Sequence, residues 1–380
     1  MVHDQTKKLP SYVFLAPDIA QQYAEQTRKG LYRLLPSEDE WKERYQFLHD
    51  KGYSLRARYC PNWEPSWMGT NIAPDFCEDS LMTRDPRIMD AKKQPDNALV
   101  AIKCIQNESR EMRIVQYLDS VGGSEHHCVP VLDLFTDPQD SRRSLLIMPF
   151  LRPYDNPELQ VVGDVVEFAL QALEGLAFLH EHRIAHRDIA PTNIMMDGTP
   201  LFPHGFHPVR IHRAADAIHE VHPLPRFEHP VKYFYIDFGL SVRFEDGASS
   251  KVVGKVGQRT DVPEMSATLP YDAFKADIYA LGDIFDRYID QISCLCSCAL
   301  LVLIDPSASA EMDERALLAA PHRDYEAKRS RFAALCTRFT QNVQANSSDT
   351  ARYLTPMAIG PEVGTALRTI PQRHCRSRSF

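Results

Sequence analysis

Residues 186–193 read HRDIAPTN, and this loop constrains the chain more than any other stretch of the sequence. It fixes the four residue types of His186, Arg187, Asp188 and Asn193 over eight positions, which makes it a specific signal. A positioned carboxylate such as Asp188 can accept or orient the proton of a reacting hydroxyl group. The amide oxygen of Asn193 is a ligand type that Mg²⁺ accepts.

Three more residues have chemistry that matches this loop, two of them before it in the chain and one after it. A strand-like run, VAIK, ends at Lys103, a cation that could pair with the α- and β-phosphates of a nucleotide. Glu111 on the next helix is placed to form an ion pair with this lysine, and Glu108 is the competing candidate. Asp237, in YIDFGL, could hold metal ions together with Asn193. Phosphoryl transfer needs such a cation, such metal ligands and such a base, so the set predicts a phosphotransferase.

The hydrophobic pattern changes from strands to helices along the chain. RIMDAKK and ALVAIKCI, joined by QPDN, predict a hairpin, and residues 108–118 predict a helix. Two strand-like runs, CVPVLDLFTD and SLLIMPFL, follow before the long amphipathic segment VVEFALQALEGLAFLHEHR. This order predicts an α+β fold with two lobes, a β-rich N-lobe with one helix and a mainly helical C-lobe.

The same pass along the sequence gives four expected segments. They are an N-terminal extension with one amphipathic helix (1–60), an N-lobe (61–151), a C-lobe (152–345) and a polar tail (346–380). Ser37 and Glu40 have capping-box spacing at the start of the first helix. An insertion near 198–230, rich in Pro and His, interrupts the C-lobe. It is expected to be a solvated loop that folding does not require.

Composition excludes several classes of protein. The formal net charge of −8 argues against a surface dominated by nucleic-acid binding. Nine scattered cysteines suit a reducing compartment, and the closely spaced Cys294, Cys296 and Cys298 are expected to be apolar residues of a buried segment. No signal segment or membrane-spanning stretch is expected, so the predicted location is cytoplasmic or nuclear.

With VPE at 262–264 and DIYALG at 277–282, the chain resembles a eukaryotic protein kinase from about Asp85 to Tyr288. More narrowly, it is similar to divergent protein-kinase-like proteins of basidiomycete fungi that carry PSW, GFHP and YIDFG. The resemblance implies ATP and Mg²⁺ as cofactors and a protein substrate. It also implies Met148 as gatekeeper and the backbone of Pro149, Phe150 and Leu151 as the adenine-binding hinge. Asp277 is expected to brace the catalytic loop.

Four departures from the family pattern stand out. The region before VAIK has no G-x-G-x-x-G loop, and Ala190 stands where most serine/threonine kinases have lysine. The insertion separates Asn193 from Asp237, and Glu264 has no arginine partner that the sequence identifies. After Tyr288 the sequence does not continue in the family pattern.

Three functions therefore stay open. The chain is an active protein kinase, a catalytically silent binding or scaffold module, or a small-molecule kinase. VPE and DIYALG speak against the third. Arg187 can receive a phosphate on the activation loop, for which Ser249, Ser250 and Thr260 are the candidate sites.

Overall fold

The computed structural model describes residues 9–83, 85–122, 126–263, 265–285 and 288. The chain divides into two compact units. The first comprises Met1–Glu158 and Thr192–Val242, and the second comprises Leu159–Pro191 and Arg243–Phe380. None of the helices in the described ranges combines the length and the apolar character needed to cross a bilayer.

The described residues form several helices and a larger number of mostly short strands. The helices are α1 (Pro17–Arg28), α2 (Pro36–Asp50), α3 (Arg110–Val121) and α4 (Val162–Glu181), and residues 273–285 are also helical. The first five strands are β1 (Tyr53–Leu55), β2 (Ile88–Lys93), β3 (Ala98–Gln106), β4 (Asp133–Thr136) and β5 (Arg143–Pro149). Strands of two or three residues follow as β6 (Arg152–Pro153), β7 (Ile184–Ala185), β8 (Ile194–Met196), β9 (Tyr233–Tyr235), β10 (Val242–Arg243), β11 (Lys251–Val252) and β12 (Tyr271–Asp272).

A five-stranded sheet in the order β1-β2-β3-β5-β4 forms the centre of the first unit. The predicted hairpin is confirmed, because β2 pairs antiparallel with β3 across residues 94–97. Side chains of β3 alternate between the two faces. Val100 and Ile102 point to a core that also contains Trp41 and Leu48 of α2. Lys103 lies on the opposite face.

The start of α2 differs from its prediction. The predicted capping box of Ser37 and Glu40 is wrong, because the N-cap is Leu35 and the helix begins at Pro36, two residues earlier than predicted. The Glu38 carboxylate instead accepts the backbone N–H of Leu35, 3.0 Å away. Proline suits the first helical position because its missing N–H has no partner there in any case. The predicted apolar face of this helix is confirmed.

Residues 1–60 contain more structure than the single predicted helix. Two helices are present, α1 and α2, and β1 pairs with β2 at the edge of the sheet. Residues 56–87 then connect β1 to β2. Trp67 is buried in this connection and its Nε1 donates to Thr27 of α1, 2.9 Å away. The connection is therefore packed onto the first unit.

The insertion is not the solvated loop expected from its composition. Leu201 and Phe202 are 0% and 4% exposed, and Arg226 is also buried. Arg152, just after the predicted hinge, has its guanidinium carbon 4.1 Å from the ring centroid of Phe202 and 4.3 Å from that of Phe206. Burial and the nearby Arg226 lower the pKa of Arg152 to about 10, so it keeps its charge at neutral pH.

The insertion therefore buries part of the core of the first unit, so the expectation of a solvated loop is wrong. The expectation that folding does not require the insertion stays a prediction, and this burial argues against it. The prediction was based on proline and histidine content, and composition does not show which side chains make buried contacts. Long loops without regular structure are buried only when their backbone groups find partners. Here Leu224 N–H donates to Leu201 O, 2.9 Å away, and Arg152 Nη1 donates to Ile211 O, 2.8 Å away.

The second unit is built on α4 and the helical residues 273–285. Phe168 of α4 is fully buried, and its ring meets that of Phe285 edge to face, with 5.9 Å between the ring centroids. Several predictions fall outside the described residues: the cluster of Cys294, Cys296 and Cys298, the carboxylate of Glu264, and the tail from 346 to 380.

Candidate active site

Lys103 lies between two carboxylates of the first unit. Its Nζ is 2.6 Å from Glu111 Oε1 and 2.9 Å from Asp237 Oδ1. Burial alone lowers the pKa of Lys103, but the carboxylates of Glu111 and Asp237 outweigh that effect and raise the pKa above its ordinary value. The lysine is therefore a fixed positive charge on the face of the sheet opposite the Trp41 core.

The start of α3 explains why Glu111 forms this pair. Ser109 is the N-cap, and its hydroxyl accepts the N–H of Met112 at 3.1 Å. The helix thus begins at Arg110, two residues later than predicted. Glu111 lies in its first turn, where the helix dipole favours a carboxylate. Glu108, the competing candidate, precedes the helix.

Asp237 and Gly239 are held in one tight turn. Asp237 has φ of +61°, in the left-handed region that most non-glycine residues avoid and aspartate tolerates better than most. Its Oδ1 accepts the N–H of Gly239 at 3.3 Å. A Cβ on Gly239 would lie 3.1 Å from that oxygen and 3.7 Å from Glu111 Oε2. A side chain at position 239 would therefore crowd the Asp237 carboxylate, while its contact with Glu111 would be an ordinary one.

Asn193 is joined to the same turn through its backbone. It ends the short helical turn Pro191–Asn193 and is buried. Its carbonyl accepts the N–H of Ile236, 3.0 Å away, next to Asp237. Since β8 and β9 are antiparallel, with Ile194 opposite Tyr235, the residue before β8 and the turn after β9 lie at one edge of that sheet. The structure thus brings both predicted metal ligands to this edge.

The predicted hinge begins at Pro149, the last residue of β5, and continues past the strand. Met148 is opposite Ala101 and Pro149 is opposite Val100 in the pairing with β3, and Phe150 N–H donates to Leu99 O at 3.1 Å. Met148 also borders an apolar cavity of about 190 Å³. The other lining residues include Val115, Leu118, Leu146 and Phe238.

A buried ion pair next to Ala101 was not predicted. Asp90 is opposite Ala101 in β2, so both side chains are on the Lys103 face of the sheet. Arg56 Nε lies 3.0 Å from Asp90 Oδ2, and the two side chains are 8% and 6% exposed. A carboxylate in the middle of RIMDAKK is the sequence signal, because a buried strand position with a charge needs a partner.

The insertion reaches the outer end of this ion pair. Glu78 Oε1 is 3.7 Å from Arg56 Nη1 and 3.5 Å from Nε2 of the buried His207. His207 Nδ1 accepts the N–H groups of Val209 and Arg210, which places its proton on Nε2 facing Glu78. Sequence reasoning missed this chain of contacts because its members are far apart in sequence.

Asp188 and Arg187 belong to the second unit, where the predicted bracing by Asp277 is confirmed. The N–H groups of His186 and Arg187 each donate to the buried Asp277 carboxylate at 2.7 Å. Arg187 has φ of +65°. Asp188 Oδ1 accepts the N–H of Gln258 at 2.7 Å. Ala190 is buried, 2% exposed.

The predicted site residues therefore form two groups. Lys103, Glu111 and Asp237 are in direct contact in the first unit, with Asn193 joined through the backbone. Asp188 is held by its own contacts in the second unit. Carboxylate and amide oxygens beside a fixed cation are suited to binding a metal–phosphate group.

Comparison with known proteins agrees with this chemistry. The family described as protein kinase domain matches residues 86–290, more than half of the chain. The serine/threonine-protein kinase CAK1 of Saccharomyces cerevisiae is 29% identical over 119 residues, which cover 22% of this chain and 32% of that protein. The serine/threonine-protein kinase ppk23 of Schizosaccharomyces pombe is 28% identical over 113 residues, covering 27% and 28%.

The chain thus spans about a third of the length of the curated relatives it matches. The family match itself includes Lys103, Glu111, Asp188, Asn193 and Asp237. This match agrees with the α+β fold predicted from the sequence, and the fold prediction is confirmed. The chain belongs to the protein kinase family.

Proposed function

We propose that this chain is an ATP-dependent protein kinase that transfers the γ-phosphoryl group of ATP to Ser or Thr hydroxyls of a protein. The observation that carries the proposal is the contact of Lys103 with both Glu111 and Asp237. A lysine held between two carboxylates keeps its charge and its position, which is what pairing with phosphates requires. The serine/threonine specificity is supported by the two yeast relatives.

The residues of the first unit fit a magnesium–nucleotide complex. Asn193 and Asp237 supply the oxygen ligands that Mg²⁺ prefers. The ion would neutralise charge on the β- and γ-phosphates. Lys103 would pair with the α- and β-phosphates while Glu111 holds it in place. The backbone of Pro149, Phe150 and Leu151 would hydrogen-bond the adenine.

Asp188 would act on the protein substrate. The substrate hydroxyl oxygen forms a bond to the γ-phosphorus, the bond from that phosphorus to the β-phosphate oxygen breaks, and Asp188 accepts the hydroxyl proton. Phosphoryl transfer needs little covalent help from a protein, so positioning of the carboxylate is its main contribution. Asp277 supports this position through the backbone of His186 and Arg187.

A finer relationship is also proposed. PSW, GFHP and YIDFG support a place among the divergent protein-kinase-like proteins of basidiomycete fungi. GFHP lies within the insertion, in which His207 contacts Glu78. The GFHP motif thus lies in a segment whose side chains pack within the first unit.

The test is a nucleotide titration of the full chain followed by a transfer assay. One ATP bound at a hundred times its dissociation constant adds about 2.7 kcal/mol of stability. Radiolabelled ATP with Mg²⁺ and mixed protein substrates then measures transfer, with Lys103→Met as the inactive control. Asp237→Asn is expected to weaken Mg²⁺-dependent nucleotide binding. No melting shift with Mg²⁺ or Mn²⁺, and no label above the control, would refute the proposal.

The second candidate is a catalytically weak or inactive module that binds nucleotide or serves as a scaffold. The pair of Arg56 and Asp90 favours it. A base bound at Pro149–Leu151 would lie beside Ala101, because β5 and β3 pair there, and Asp90 is the neighbour of Ala101 on β2. A buried ion pair at that place would disfavour binding of the base, whose flat faces are apolar. A melting shift with ATP but no transfer would support this candidate.

A further inference from the structure

Residues 257 and 258 approach the loop of Asp188 closely. Gln258 N–H donates to Asp188 Oδ1 at 2.7 Å. Gly257 has φ of +90°, and a Cβ built there would lie 2.8 Å from both Arg187 O and Asp188 Oδ1. Real side chains do not tolerate such contacts with backbone atoms. Only glycine at 257 lets the following N–H reach the carboxylate.

The approach coincides with the change at residue 190. Ala190, two residues after Asp188, is buried and carries a methyl group that donates no hydrogen bond. The resemblance to serine/threonine kinases implies a lysine at this position. A hydrogen bond from a backbone N–H to a carboxylate is charge-assisted and fixes the direction of the accepting oxygen.

We propose that Gly257 is a positioning residue for phosphoryl transfer, because it lets the Gln258 N–H hold the Asp188 carboxylate in a chain that lacks the lysine at 190. The inference rests on the proposed kinase function. Gln258 acts through its backbone, so its side chain is not needed. The specific requirement is for glycine at 257.

The first test compares two glycines of the same segment. Gly257→Ala introduces a methyl group against Asp188 and Arg187. Gly254→Ala is the matched control: Gly254 has φ of +107°, and its Cβ would meet only Val256 Cγ1, at 3.9 Å. Both variants carry the cost of an alanine in left-handed backbone, but only the first disturbs Asp188.

The transfer assay should separate kcat from KM. Loss of a hydrogen bond to a charged group corresponds to a decrease of about 10- to 100-fold in kcat. Gly257→Ala is expected to show this decrease with the KM for ATP within about twofold of the wild type. Gly254→Ala is expected to keep both constants. An equal fall of kcat in both variants, or an unchanged or higher kcat in Gly257→Ala, would overturn the proposal.

A second measurement does not depend on activity or on the Gly257 variant folding. Amide hydrogen exchange of Gln258 is read in the wild type, in Asp188→Ala and in Asp188→Asn. We expect at least about tenfold faster exchange in Asp188→Ala, since its acceptor is gone, and slow exchange in Asp188→Asn, which keeps an oxygen. Equal exchange in the wild type and Asp188→Ala would refute the hydrogen bond itself. If the exchange rates are as expected but the chain transfers no phosphoryl group, the hydrogen bond stands and the kinase function is refuted. The positioning role of Gly257 in transfer is then refuted as well.

Discussion

Arg56→Met tests the buried ion pair on the face of the sheet that carries Lys103. The substitution keeps most of the side-chain volume but leaves the carboxylate of Asp90, 6% exposed, without its cation at 3.0 Å. Breaking a buried pair by removing one partner costs about 3–5 kcal/mol. For a domain of about 200 residues, that loss lowers Tm by about 6–20 °C. Thermal unfolding of the full chain at neutral pH measures it.

The double variant Arg56→Met/Asp90→Leu is the matched control. It removes both charges, so the desolvation cost of Asp90 disappears with its cation, and stability should return to within about 1–2 kcal/mol of the wild type. If the double variant is as unstable as Arg56→Met, the loss comes from packing of the arginine and not from an unpaired charge. That result would refute the electrostatic reasoning.

The pH dependence of Arg56→Met gives an independent check. Burial raises the pKa of Asp90 even with Arg56 beside it, and removal of Arg56 raises that pKa further. A carboxyl group whose pKa is higher in the folded state than in the unfolded chain binds more protons when folded. Its destabilising effect is therefore full above the folded pKa and vanishes as the pH falls below the unfolded pKa of about 3.9. The deficit of Arg56→Met relative to the wild type should shrink between neutral and acidic pH, and a constant deficit would contradict this cause.

Three further results are expected. Lys103→Met should abolish phosphoryl transfer and leave the melting temperature close to that of the wild type. In the same radiolabel assay, Glu111→Gln should reproduce part of the loss, whereas Glu108→Gln, which lies before α3, should change nothing. A loss of transfer in Glu108→Gln would show that the wrong carboxylate was assigned to Lys103. Asp188→Asn should lower kcat by about 10²- to 10⁴-fold and leave ATP affinity nearly unchanged, measured by transfer assay and nucleotide titration. Phe202→Ala should lower the free energy of unfolding by about 3–5 kcal/mol, measured by thermal unfolding, because the Phe202 ring is buried against Arg152. A decrease below about 1 kcal/mol would support the view of the insertion as a solvated loop.

The sequence predicts the parts of this protein in which local pattern and burial agree. The hairpin of β2 and β3 has alternating side chains and a turn at 94–97, so its pattern is sufficient. The sequence predicts that Glu111 pairs with Lys103 but leaves Glu108 as a competitor. The structure decides for Glu111, because the N-cap at Ser109 places Glu108 before the helix. The chemical roles of these residues stay predictions.

The features that escaped prediction depend on contacts between distant segments. His207 contacts Glu78, and the Arg152 guanidinium lies against the rings of both Phe202 and Phe206. Periodicity carries no information on such pairs, because neither partner lies on a regular element with a clear apolar face. The insertion therefore resembled a loop in composition while it buried side chains of the core.

The departures from the family pattern do not all point to an inactive protein. At the Asp188 loop, the missing lysine is accompanied by a glycine and an N–H that hold the carboxylate. At the Lys103 face of the sheet, by contrast, Arg56 and Asp90 lie where a nucleotide base is expected. Under the proposed function, the first arrangement would keep Asp188 in position for the chemical step, whereas the second would weaken affinity for ATP. An enzyme altered in this way should have a high KM for ATP and a kcat that still depends on Asp188. A loop that had lost its function should instead tolerate Asp188→Asn without any change in turnover at saturating nucleotide, and that comparison decides between the two candidate functions.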